Sequence, residues 1–252
     1  MGSPDTLTEL EKKRYKLQIM LPGIGEGGQI KIKNARVLVI GIGGLGSQVL
    51  QYLTAMGIGT LGFLDYDVIE EVNLSHQVNY GMEDIGKLKA VVTRKRLAEM
   101  NPLVQLNMLN VQFKSDNAGS ILPGYDIIVD TTNKLNQHCL ISDACLKYNK
   151  VMVLGCVTNR LEGRVSVFNY RGGPSYRCMS KDNGSKVHSE DKNITGMPGI
   201  LPGITGSCVA NEVIKIITGS NEVLSGKMLA IDISGYMNRL IPVERDPGNF
   251  YK

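Results

Sequence analysis

Arg36-Val37-Leu38-Val39-Ile40-Gly41-Ile42-Gly43-Gly44-Leu45-Gly46 is the stretch that decides the fold. Val37 to Ile40 form an unbroken apolar run too short for a helix. Such a run reads as a strand buried on both faces, the pattern of a central parallel strand. The spacing of Gly41, Gly43 and Gly46 is G-x-G-x-x-G, and helical periodicity follows over 45–56. In a strand–turn–helix the first glycine permits the tight turn, the second lets backbone approach phosphates, and the third allows close helix–strand packing. Phosphate charge then meets the free N–H groups and the dipole at the helix start. Gly41, Gly43, Gly44 and Gly46 are therefore candidate nucleotide-binding positions. Glycines serving packing alone would look similar without the flanking strand and helix.

Outward from this turn the chain alternates. Leu61-Gly62-Phe63-Leu64-Asp65 reads as a second buried strand. Asp65 stands roughly twenty residues past the glycines, where a carboxylate can accept ribose hydroxyls of NAD or ATP alike. A helix is predicted over 86–100, closed by Asn101-Pro102. Strands are predicted near 104–109 and at 127–130, a helix over 134–148, and a strand at 151–154. Upstream, a helix over 7–20 is predicted, with Thr6 and Glu9 as a capping box and Pro22-Gly23 as its stop. Downstream the pattern changes. Arg164 to Phe168 alternates as a half-exposed strand does, and 180–198 reads as a long mobile loop. A helix over 204–218 ends at Gly219, and two strands, near 226–233 and 236–243, form an antiparallel appendage. The expectation is one α/β domain over 1–252, a doubly wound, mostly parallel Rossmann-like sheet with an antiparallel C-terminal appendage.

Composition agrees and excludes several classes. Apolar residues make up 42% of 252 residues and tryptophan is absent, so the core must rest on Val, Ile, Leu and Met. A net charge of +4, spread along the chain, is too small for a nucleic-acid footprint and suits a phosphate ligand or an acidic partner. The five cysteines include no C-x-x-C pair, which points to reduced thiols and a cytoplasmic setting. The start, Met1-Gly2-Ser3-Pro4, lacks the regions of a signal peptide. No apolar run approaches the roughly 20 residues of a membrane span, so no membrane association is expected. His76, His138 and His188 have no metal-ligand spacing, and no metal site is expected from them.

Several further segments carry a family resemblance. Asp65-Tyr66-Asp67-Val68-Ile69-Glu70-Glu71-Val72-Asn73-Leu74-Ser75-His76-Gln77 resembles D-x-D-x-V-x-x-x-N-L-x-R-Q. Arg14 to Ile19 resembles R-Y-x-R-Q-I, and Gly86-Lys87-Leu88-Lys89 resembles G-x-x-K. Gly203-Ile204-Thr205-Gly206-Ser207 with Glu212 to Lys215 resembles G-x-x-G-S…E-x-I-K. In this order, from about residue 9 to 248, they resemble the ThiF/MoeB/HesA family of ubiquitin-activating-like adenylating enzymes. The resemblance implies a homodimer that binds ATP and Mg²⁺. It implies a small ubiquitin-like sulfur-carrier protein, ending Gly-Gly, whose C-terminal carboxylate attacks the α-phosphate. By position, Lys89 is the catalytic cation at the phosphates and Asp65 the ribose ligand. Asn73 is a phosphate-side contact, and Asp67 and Gln77 are further nucleotide-binding positions. Catalysis of this kind is mostly positioning and electrostatics.

The chain departs from that pattern at four charged positions. Leu17 replaces the arginine that reaches across the family's dimer. His76 replaces the arginine of N-L-x-R-Q. Asn133, in Thr132-Asn133-Lys134, replaces the Mg²⁺-holding aspartate, and His138 a further arginine. Leucine offers no charge, and arginine's bidentate grip on phosphate is lost. One arginine finger can be worth about 10³–10⁵ in rate; Lys16 and Lys134 are the candidate replacements. Of the family's two zinc-binding C-x-x-C pairs only Cys178 remains, with Ser175 at its partner position and Asn249 to Lys252 in place of the second pair. No zinc is expected, since one cysteine cannot build a tetrahedral site, and the 180–198 segment holds no cysteine nucleophile. Three readings stay open: a working adenylyltransferase with a remodelled phosphate site, a catalytically impaired relative acting as a binding or partner subunit, or a core that binds NAD for another reaction.

Overall fold

In the computed structural model of the chain, residues 5–158, 161–179, 196–235 and 237–246 are described. Strand β1 (Arg36–Ile40) lies at the centre of the parallel part of the sheet. It pairs with β2 (Thr60–Leu64) on one side and β4 (Ile127–Asp130) on the other. Strand β3 (Gln105–Leu109) lies outside β2 and β5 (Val151–Thr158) outside β4, all parallel. Strands β6 (Glu162–Phe168), β7 (Lys227–Asp232) and β8 (Met237–Pro242) continue the same sheet in antiparallel pairing. The order is β3-β2-β1-β4-β5-β6-β7-β8. The chain moves outward from β1 and then returns to its other side at β4. The carboxyl ends of β1 and β4 therefore flank a switch point, where open α/β sheets hold ligands.

Side-chain alternation explains the two layers. Val37, Val39, Leu61, Phe63, Val129 and Val153 face a core shared with helices α3 (Gly25–Asn34), α4 (Gly44–Ala55), α5 (Lys89–Met100) and α8 (Ile200–Thr218). Leu38, Ile40, Ile128, Met152 and Leu154 face the other core, with α6 (Ala118–Ile121) and α7 (Leu135–Lys147). Each fully buried aliphatic chain contributes about 1.5–3 kcal/mol, so both faces hold the sheet. Truncating Phe63, which is fully buried, to alanine would cost about 3–5 kcal/mol.

Helix α8 passes for a membrane span by length and composition, contrary to the sequence expectation of no such stretch. Half of it is buried in the protein, against α4, β5 and β6, which is the packing of a core helix. Its Gly206 lets it approach α4, since a Cβ there would stand 2.7 Å from the Leu45 carbonyl. The helix starts at Ile200, not 204. Pro202 falls in its first turn, where the missing N–H costs nothing.

The N-terminal expectation needs correction. The single helix over 7–20 is two short ones, α1 (Glu9–Arg14) and α2 (Lys16–Ile19), separated at Tyr15. The capping box is Thr8 with Glu11, not Thr6 with Glu9. Tyr15 is buried and its hydroxyl accepts from Asn101 Nδ2 at 2.9 Å, so a tertiary contact interrupts the local pattern. Helix α3 was not expected at all, because Gly25, Gly27 and Gly28 lower helix propensity and Ile30-Lys31-Ile32-Lys33 alternates like a strand. Gln29 and Ile32 hold it by tertiary contact. Helix α5 begins at Lys89 rather than 86, because Val68 and Leu88 form an antiparallel bridge first. The expected loop over 180–198 lies outside the described residues except for Gly196 to Pro198, which are non-helical.

Candidate functional site

The glycine turn between β1 and α4 has the geometry its spacing predicts. Gly41 has φ +95°, open to glycine at little cost. A Cβ on Gly46 would lie 1.9 Å from the Gly41 carbonyl, so the third glycine is required by close packing. A Cβ on Gly43, by contrast, meets nothing within 4 Å. Gly43 is the N-cap of α4 and no side chain caps the helix there, so the helix start keeps its unpaired N–H character.

Asp65, just past β2, is buried and its carboxylate binds the turn itself. Oδ2 accepts from the Ile42 N–H at 2.6 Å and Oδ1 from the Asp67 N–H at 2.8 Å. Each carboxylate oxygen keeps a second lone pair for a ribose hydroxyl. Lys89 opens α5 and is only 6% exposed. A buried cation at the positive end of a helix dipole is unfavourable by itself. Among the described residues its one counter-charge is the half-exposed Asp67 at 3.4 Å, which engages one of three ammonium donors. Asn73 spends Oδ1 on the Glu70 N–H at 3.0 Å, capping the 3-10 turn Glu71–Ser75.

His76 and Gln77 follow that turn. A Cβ on Gly44 would meet the His76 carbonyl at 2.8 Å, and one on Gly199 would meet the Ser75 carbonyl at 2.0 Å. The segment 75–77 is thus clamped between the starts of α4 and α8. Burial and then the charge of Lys89 hold the His76 imidazole below its ordinary ionisation range. Gln77 is 3% exposed; its Nε2 lies 3.3 Å from His76 Nε2, and its Oε1 has no partner among the described residues.

Not every position named from the sequence joins this cradle. His138 is buried, with Nδ1 2.7 Å from Asp130 Oδ2, and stacks at a tilt on Tyr176. It therefore serves the core and is not presented to a phosphate. Leu17 is 83% exposed on α2, which is tied by Gln18 to the Met56 carbonyl at the far end of α4. Twelve residues of helix place that end about 18 Å from the glycine turn. Arg14, Tyr15 and Gln18 of the early motif are anchors: Arg14 donates to the Met100 carbonyl and Tyr15 bonds Asn101. Asn133 and Lys134 are exposed after β4. The sequence reading missed Thr131, whose hydroxyl donates to the Gly41 carbonyl at 2.8 Å and braces the turn from β4. It also missed Asp130, whose Oδ1 accepts from both the N–H and the hydroxyl of Thr132. A strand-end aspartate carries no pattern that marks it.

The residues present do not fit a protein cage for Mg²⁺. Asp130 has both oxygens engaged, Asn133 offers one neutral oxygen, and among the described residues no group of three His, Cys, Asp or Glu could hold a metal ion. Around Cys178 the structure shows hydrogen bonds instead: Sγ lies 3.4 Å from Ser175 Oγ and accepts from the Asp246 N–H at 3.4 Å. Burial pushes the Cys145 and Cys208 thiols up, away from the reactive thiolate.

Comparisons with known proteins bear on this arrangement. The ThiF family profile matches residues 15–248. A probable molybdopterin-synthase adenylyltransferase of Porphyra purpurea is 42% identical over 220 residues, covering 87% of this chain and 57% of that protein. This chain thus spans little over half of that relative's length. A sulfur carrier protein adenylyltransferase of Thermus thermophilus is 37% identical over 245 residues, covering 95% of this chain and 90% of the relative. In fold, the chain matches the E. coli MccB crystal structure with MccA-N7isoASN at TM-score 0.81 and 23% identity, over 98% of this chain and 75% of that one. With its glycine turn, Asp65 and Lys89 in place and a profile match over nearly its whole length, this chain belongs to the ThiF family.

Proposed function

We propose that this protein adenylates the C-terminal carboxylate of a small ubiquitin-like sulfur-carrier protein ending Gly-Gly, using ATP, as a cytoplasmic homodimer. One observation carries the reading: the uncapped helix start at Gly43–Gly44 and the buried Lys89 meet at His76, and among the described residues the one carboxylate partner of Lys89 is half-exposed. The names of the relatives in Porphyra purpurea and Thermus thermophilus support the reaction class. A carboxylate oxygen attacks the α-phosphorus, the bond to the β-phosphate oxygen breaks, and pyrophosphate leaves. Two anions must meet, so the site has to lower repulsion. Lys89, the α4 N-terminus and the N–H groups around Gly43 supply positive potential, and Asp65 holds the turn rigid. ATP enters as its Mg²⁺ complex, and no step is assigned to a metal held by the protein.

A second reading rests on Leu17 and Asn133. Both are exposed and uncharged, so these two positions bring neither a cross-dimer cation nor a metal carboxylate. A partner subunit with such a cation would then complete the site. ATP–pyrophosphate exchange with purified carriers ending Gly-Gly separates the two. Exchange by the chain alone, lost in Lys89→Ala, supports the homodimer. Calorimetric binding of Mg·ATP without exchange supports the partner reading, and no binding at millimolar nucleotide sinks both.

A further inference from the structure

We propose that His76 is a proton-linked cation of the phosphate cradle: its ring is neutral in the free protein and takes up one proton from solvent when Mg·ATP enters. The proposal rests on the nucleotide reading above.

Three observations lead to it. The first is place. The His76 backbone packs on Gly44 in the first turn of α4, and its ring lies within the electrostatic reach of Lys89. The second is hydrogen-bond bookkeeping. An amide nitrogen only donates, so Gln77 Nε2 at 3.3 Å requires His76 Nε2 to be an acceptor and unprotonated. Ser75 Oγ, 3.2 Å from Nδ1, gives its own hydrogen to the Val72 carbonyl and accepts from Nδ1–H. This set holds a neutral ring, and it strands Gln77 Oε1, a buried acceptor with no partner among the described residues. A half-turn of the Gln77 amide brings Oε1 to the same ring nitrogen, now as acceptor of an Nε2–H. Every donor and acceptor on the ring and on Oε1 is then satisfied, and the ring carries a charge. The amide pivot thus lets the same two neighbours, Ser75 and Gln77, hold the ring neutral or charged.

The third is charge. Burial and Lys89 oppose protonation of His76 in the free protein. Among the described residues the charge that acts on the ring is Lys89 on α5, with Asp67 paired to it; Glu70 and Glu71 stand at the start of its own turn. Asp65, beyond them, is engaged by the Ile42 and Asp67 N–H groups. The α4 turn Gly44 to Gly46 and the α8 start Gly199 to Pro202 bring none. A bound triphosphate reverses the local sign of the potential, and the bound-state ring ionises at higher pH than the free one. Between those two values, binding takes up a proton and affinity falls with rising pH, approaching about tenfold per unit. Below both, the ring is charged throughout and the dependence flattens.

The test is titration calorimetry of the full chain with Mg·ATP, in two buffers of different ionisation enthalpy, at about pH 7.5. Wild type, His76→Arg and His76→Gln are compared, so that any protonation of the nucleotide itself cancels. The wild type should absorb a large fraction of one proton per nucleotide. His76→Arg should bind with little proton uptake and a flat pH profile, and His76→Gln should bind more weakly, also flat. A packing role alone would weaken both variants without touching proton uptake. Should either variant fail to fold, imidazole NMR of the wild type replaces it, with the His76 signals moving to their charged positions on nucleotide addition. Nucleotide binding by the wild type with no proton uptake, or uptake that persists in His76→Gln, would overturn this proposal and leave the adenylation reading standing. No binding of Mg·ATP by wild type would overturn both.

Discussion

Two glycines four residues or fewer apart in the β1–α4 turn should fail in opposite ways when given one methyl group. In Gly46→Ala the new Cβ would sit 1.9 Å from the Gly41 carbonyl oxygen and 2.8 Å from Thr131 Oγ1. The obstacle is backbone on a tight turn, so the strand end or the helix must move by more than an ångström. Overpacking of this kind costs about 1–3 kcal/mol, and a chain of this size loses about 2–4 °C in Tm per kcal/mol. With the obstruction at the upper end of that range, Tm should fall about 5–10 °C. In Gly43→Ala the Cβ meets nothing within 4 Å, and φ −81° suits any residue. Alanine is a poorer N-cap, a loss of about 1 kcal/mol or less, so Tm should fall by no more than about 4 °C. Its methyl would, however, stand where phosphate oxygens approach the helix start. Losing one charge-assisted contact costs about 1.5–3 kcal/mol, which is about 10- to 150-fold in Kd. Differential scanning calorimetry and Mg·ATP titration read the two effects separately. A Gly43→Ala protein that binds as tightly as wild type would refute the placement of the phosphates over Gly43.

Other contacts make simpler predictions. Asn101→Ala removes the donor to both the Tyr15 hydroxyl and the Thr54 carbonyl, so it should cost about 1–3 kcal/mol and open the N-terminal helices to protease without weakening ATP binding; unchanged proteolysis would count against the anchor. His138→Ala removes the hydrogen-bond partner of the buried Asp130 Oδ2 and should cost about 1–3 kcal/mol in a urea melt; an unchanged melt would mean that His138 is not bonded as described. Burial raises the Asp84 carboxyl, but the Gly81 N–H, Lys87 and Arg96 outweigh it and hold it below its ordinary value. A carboxyl lowered on folding contributes stability above its unfolded pKa of about 3.9 and loses it as pH falls through the folded value. Asp84→Asn should therefore flatten the decline of Tm below about pH 4, and an acid limb identical to wild type would exclude the effect.

The parallel core was legible because burial on both faces imposes unbroken apolar runs, as at Val37 to Ile40, and because G-x-G-x-x-G has separate steric duties for each glycine. Those duties appear in the structure at Gly41 and Gly46. The N-terminal region was misread for the opposite reason. Its breaks come from Tyr15 reaching Asn101, a contact between residues far apart in the chain, and α3 forms despite three glycines because Gln29 and Ile32 find partners elsewhere. Tertiary contact overrides propensity at such places. At the site, Lys89 and Asp65 could be named from position, but the tie from Asp65 to the Ile42 N–H could not, since it depends on the turn's shape. Nor could the orphaned Gln77 oxygen be foreseen, because orphaning is a property of the surroundings and not of a residue.

The four charge changes are not equivalent once their places are known, and this bears on how much chemistry the chain keeps. His138 is buried and hydrogen-bonded to Asp130, so it serves the fold at that position. Leu17 and Asn133 are exposed, and the charges beside them are those of Lys16 and Lys134, also exposed. His76 lies in the cradle itself, beside Lys89 and an acceptor, Gln77 Oε1, that has no partner among the described residues. A site stripped of its outer cations depends on the inner ones. Lys89 is one of them, and the His76 imidazole joins it when a bound anion favours its charged form. The remodelled cradle would then hold a triphosphate most firmly under mildly acidic conditions. Its reaction rate would rest on Lys89 and on the α4 N-terminus.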